Sequence, residues 1–60
     1  MGTTYIAKTL QEAVAYMYLK GGDFDDKKTL ISGGAYMTYF YKKGSKVAVY
    51  DEIYKKLFIY

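Results

Sequence analysis

The segment from Thr29 to Tyr50 constrains the fold more than any other. Three β-prone runs, Thr29–Ser32 (TLIS), Ala35–Tyr41 (AYMTYFY) and Ser45–Tyr50 (SKVAVY), are separated only by Gly33-Gly34 and by Lys42-Lys43-Gly44. A Gly-Gly pair between such runs suits a two-residue turn with positive φ at both positions. A three-residue loop ending in Gly suits a type I turn followed by a bulge. Connections this short join antiparallel neighbours, so the segment reads as a three-stranded meander.

The flanks read differently. Thr9-Leu10-Gln11-Glu12 has the Thr-x-x-Glu spacing of a capping box. Good helix formers follow, and Gly21-Gly22 can supply a left-handed terminator. A helix over about residues 10–20 is expected, with Leu10, Ala13, Val14 and Met17 toward the core. Thr3–Ala7 (TTYIA) is short and β-prone, an optional edge strand. The tail from Tyr50 to Tyr60 alternates one or two apolar with two polar residues, a helical period. Asp51 and Glu52 near its start and Lys55 and Lys56 later match the helix dipole, and a fourth strand is the competing reading because Ile, Tyr and Phe are β-prone. The expected architecture is therefore a small α+β domain over residues 1–60. Its order is helix, three-stranded antiparallel meander, helix (α-β-β-β-α), optionally preceded by the N-terminal edge strand.

Double-stranded-RNA-binding domains and many small viral regulators share this order, which by itself implies little about function. Thr9–Tyr16 (TLQEAVAY) is similar to the first helix of excisionase-type winged-helix domains. Lys42–Lys56 (KKGSKVAVYDEIYKK) resembles their wing-then-helix end. The resemblance covers under half the chain. Asp26–Gly34 offers no full recognition helix, and no DNA-contacting residue is carried over.

Composition removes most chemistry. The chain lacks cysteine and histidine, so it has no disulfide, no thiolate ligand, and neither the commonest zinc ligand nor the commonest general base. Nucleophile–base pairs of the Cys–His or Ser–His kind cannot form. The Gly pairs match no phosphate-cradling motif. Asp23, Asp25 and Asp26 lack the spacing of a calcium loop and read as a turn or cap. No catalysis, cofactor or metal is expected. No apolar run approaches the ~20 residues of a membrane span, and no leader segment is recognised. A soluble, cytoplasmic protein is the expectation (host cytoplasm if viral).

What remains is surface. Residues 1–26 carry two lysines against four acids, whereas residues 27–60 carry seven lysines against two. The basic second half hints at an anionic partner. The absence of arginine removes the usual bidentate contacts to bases and phosphates. The three-residue loop pairs Tyr41 with Ser45, Tyr39 with Val47 and Met37 with Val49, and the Gly-Gly turn pairs Leu30 with Met37. Leu30, Met37, Tyr39, Val47 and Val49 then share one face, expected to lie against the first helix, while a one-residue change in loop register would swap the two faces. The other face carries Ile31, Tyr36, Thr38, Phe40, Lys46, Ala48 and Tyr50, too aromatic for a solvated face.

The second helix or N-terminal strand could cover that other face, a homodimer could form through the face or an open edge, or a partner could bind it. The site expected for a macromolecular partner is Tyr36, Phe40 and Tyr50 with Lys42, Lys43, Lys46, Lys55 and Lys56. The leading reading is a non-enzymatic regulator or inhibitor, of the kind encoded by viruses and mobile elements, that docks on a larger protein. The alternative is a small DNA- or RNA-binding protein that pairs lysines with phosphates and stacks bases on aromatic rings.

Overall fold

The computed structural model describes residues 2–60. The strands are β1 (Thr3–Ile6), β2 (Asp26–Ser32), β3 (Ala35–Lys42), β4 (Ser45–Asp51) and β5 (Lys56–Ile59). They form one antiparallel sheet in the order β1-β5-β4-β3-β2. Between β1 and β2 runs α1 (Leu10–Tyr16), which continues as a π-helical turn over Met17–Gly21.

The helix starts where the capping spacing places it. Thr9 Oγ1 accepts from the Glu12 amide at 3.1 Å. Glu12 reaches back one residue further than a standard box, its Oε2 accepting from the Lys8 amide at 2.8 Å. Gly22, at φ 97°, ends the helix. Ala13 and Met17 are buried, and Leu10 and Val14 pack on the core, as the helical spacing implies.

The first hairpin has the expected register: Leu30 lies opposite Met37, and Ser32 and Ala35 flank Gly33 (φ 59°) and Gly34 (φ 82°). The second differs. Lys42 pairs with Ser45 across a two-residue turn, Lys43 (φ 51°) and Gly44 (φ 82°). A bulge in β4 then displaces the pairing, so Tyr39 lies opposite Val49 and not Val47.

The expected α-β-β-β-α order is overturned by the tail, which is a turn and a strand. Asp51 Oδ1 accepts from the amides of Ile53 (2.9 Å) and Tyr54 (3.3 Å), and Lys55 takes φ 57°, so residues 52–55 reverse the chain. An aspartate that caps a helix can equally hold a turn. The run Leu57-Phe58-Ile59 is apolar at consecutive positions. In a strand, Leu57 and Ile59 point to one face and Phe58 to the other. β5 also pairs with both β1 and β4, satisfying edges that a helix would leave open. The resemblance to a wing-then-helix ending fails for the same reason.

The buried cluster comprises Ala7, Ala13, Met17, Phe40, Ala48, Tyr50 and Leu57. Phe40 is 0% and Tyr50 1% exposed. The expected orientation of the sheet is thus reversed: the face bearing Phe40, Ala48 and Tyr50 takes the helix. Ala48 leaves room beneath Ala13 and Met17, and Tyr50 has a partner for its hydroxyl, donating to the Ala7 carbonyl at 2.8 Å. Among the described residues, no helix is long and apolar enough to cross a membrane.

Candidate functional site

Four rungs of side chains cross all five strands, and they sort cleanly by face. Under the helix lie Tyr5-Leu57-Tyr50-Thr38-Thr29 and Thr3-Ile59-Ala48-Phe40-Lys27. On the side away from it lie Thr4-Phe58-Val49-Tyr39-Lys28 and Ile6-Lys56-Asp51-Met37-Leu30. No element of the described chain packs on this second side. Its centre is nevertheless well packed: Val49, between Tyr39 and Phe58, is 7% exposed with no helix above it.

Lysines stand directly on this face. Lys46 Nζ lies 4.4 Å from the centroid of the Tyr39 ring, and Lys28 Nζ 5.5 Å from that of Tyr41. Such contacts are worth roughly 0.5–1 kcal/mol when exposed. They also orient the rings and set positive charge at the rim of an apolar strip.

The residues expected to form one site are dispersed. Phe40 and Tyr50 belong to the core and cannot anchor a partner. Burial pushes the Tyr50 phenol above its ordinary pKa, with Glu52, Glu12 and Asp51 adding to the shift. Tyr36 is half exposed on the helix side, opposite Ile31. Lys42 forms an ion pair with Asp23 at 3.8 Å, and the Lys43 amide donates to Asp25 Oδ2 at 3.0 Å. Lys55 sits in the β4–β5 loop, at the opposite end of the sheet from Lys43. Lys46 is on the open face, and Lys56 lies there opposite Asp51. Folding thus brings Asp23 and Asp25 beside Lys42 and Lys43 at the β3–β4 turn.

Met37, Tyr39, Tyr41, Val49, Phe58 and Lys28 lie on the open face and are not among the site residues expected from the sequence. The available signal was size: Ala48 and Thr38 beside Phe40 and Tyr50 suit close approach of a helix, whereas Tyr39 and Tyr41 do not.

On the helix side, Tyr5 stacks on Tyr16 with centroids 3.9 Å apart. They border a shallow groove with Glu12, Ala15, Leu19 and Lys20. Among the described residues, no group of three or more His, Cys, Asp or Glu side chains is placed to hold a metal ion. Comparison with protein-family models, curated proteins and solved structures gives no match.

Proposed function

We propose that this chain is a small non-enzymatic regulator or inhibitor that docks on a larger protein through the open face of its sheet. The observation that carries the reading is the uncovered strip Tyr39-Val49-Phe58, packed at its centre and flanked by Lys28 and Lys46. Aromatic residues in such a strip are favoured anchors, since each buries a large area at low conformational cost. The lysines at its rim favour an acidic border on the partner.

A nucleic-acid ligand fits this face less well. The ammonium groups of Lys46 and Lys28 occupy ring faces on which bases would stack. Asp26 and Asp51 share the same side of the sheet, and the chain has no arginine.

The test is a purified partner, isolated from extract on the tagged protein and then titrated by calorimetry. Tyr39→Ser should lower affinity by about 2 kcal/mol or more, as for an interface anchor. Tyr36→Ser, exposed on the other side, should leave affinity unchanged. Oligonucleotide titrations run in parallel. Binding to single strands whose log affinity falls linearly with log salt, and is lost in Lys46→Gln, would replace the proposal with the nucleic-acid reading.

A further inference from the structure

The two edges of the sheet are not alike. β1 is four residues long, whereas β2 is seven, and every β2 side chain from Asp26 to Ile31 is exposed. The Gly-Gly turn makes Ser32 and Ala35 a hydrogen-bonded pair, so Ser32, Leu30, Lys28 and Asp26 direct their amides and carbonyls at β3. The main-chain groups of Lys27, Thr29 and Ile31 point away from the sheet. Natural edges are blunted by charge, proline, bulges or shortness. β2 is charged only in its first half, and its second half presents Leu30 (52% exposed) on one face and Ile31 (68%) on the other. Tyr36, 50% exposed, lies beside Ile31.

We propose that a second copy of this chain adds to the β2 edge, antiparallel and about a two-fold axis through Thr29, to make a continuous ten-stranded sheet. The strand is self-complementary in that register and in no neighbouring one. Centring on Thr29 overlaps all seven residues. Lys27 then lies opposite Ile31 of the second copy, Lys28 opposite Leu30, and Asp26 opposite Ser32. Each lysine stem can lie along an apolar side chain while its ammonium reaches water. Centring on Lys27 or Lys28 sets like charges face to face, and centring on Leu30 or Ile31 shortens the overlap. The outward groups of Lys27, Thr29 and Ile31 all gain partners, two hydrogen bonds for each facing pair. A two-fold axis perpendicular to the sheet keeps both helices on one side. Both open faces then lie side by side on the other. This inference stands apart from the proposed docking function, since it uses the edge and not the face.

Sedimentation of the full chain from micromolar to millimolar concentration tests it. A monomer–dimer equilibrium is expected. Ile31→Lys, which leaves the protomer's own ladder intact, should weaken dimerisation by about tenfold or more. Ile53→Lys, at an exposed position in the β4–β5 loop, should leave it unchanged. Because the chain has no cysteine, a single introduced one reports the register. Residues facing each other in a hydrogen-bonded pair have Cα atoms about 5.5 Å apart, within disulfide reach. Thr29→Cys should therefore link two copies under mild oxidation. Ile31→Cys should not, because its counterpart lies about 14 Å along the strand. A chain that stays monomeric at every concentration overturns the proposal. So does a dimer indifferent to Ile31→Lys, or one that Ile31→Cys links as readily as Thr29→Cys. Far-UV circular dichroism of each variant confirms that the protomer is folded.

Discussion

The covered and open faces of the sheet carry similar side chains in different circumstances. Tyr50 and Tyr39 are both strand tyrosines near the middle of the sheet. Tyr50 lies under the helix with its hydroxyl bound to the Ala7 carbonyl, while Tyr39 lies on the other side with the Lys46 ammonium over its ring. Phe40 meets Phe24 in an edge-on contact at 4.9 Å and is 0% exposed, whereas Phe58, between Thr4 and Val49 on the open face, is 37% exposed. A face covered by a helix commits its aromatics to stability. A face that packs only within the sheet keeps comparable aromatics available for contact. The distinction lies in what sits above the residue, not in the residue type.

The sharpest way to break this comparison is to truncate one phenylalanine on each face. Phe40→Ala should cost about 3–5 kcal/mol, a large part of the roughly 3–9 kcal/mol expected for a chain of this length. Phe58→Ala should cost much less and shift the urea midpoint modestly. Equal losses would mean that both faces are core. The helix that creates the difference depends on its cap, so Thr9→Ala should destabilise by about 0.5–2 kcal/mol in the same urea assay. An unchanged midpoint would show that α1 is held by packing alone.

Tyr50 sharpens the comparison through pH. Its folded pKa is raised, so the folded state favours the neutral phenol. The stability this contributes is fully present below the unfolded tyrosine value of about 10 and is lost as pH rises through the higher folded value. Tyr50→Phe should cost about 1 kcal/mol at neutral pH through the lost hydrogen bond. It should also lessen the loss of stability above about pH 10, which pH-dependent urea titration measures. The smallest effect is on the open face. Lys46→Gln should change stability by less than about 1 kcal/mol, while the assigned NMR ring resonances of Tyr39 report the loss of the ammonium from its ring.

Much of the fold is legible in local residues. The Thr9–Glu12 spacing marks the helix start, Gly22 its end, and Gly33-Gly34 the first hairpin with its register. Even the grouping of residues by face is largely readable: Leu30, Met37, Tyr39 and Val49 lie together, as do Tyr36, Thr38, Phe40, Ala48 and Tyr50. The bulge near Val47 is not readable. It moves Lys46 to the side of Tyr39 and lets Val47 touch the core. The tail is ambiguous because eleven residues with a helical period also contain an aspartate suited to a turn and an apolar run suited to a strand.

Sequence alone determined the Gly33-Gly34 turn, the first helix and the alternation along β2 and β3, because each depends on residues a few positions apart. Only the tertiary structure decided which face the helix would cover, because that choice compares two packings of the whole chain. Ala7, Ala13 and Met17 meet Phe40, Ala48, Tyr50 and Leu57 from distant positions, and Tyr50 gains its hydroxyl partner only there. The tail became a strand for the same reason. β1 and β4 each needed a neighbour, and β5 satisfies both at once.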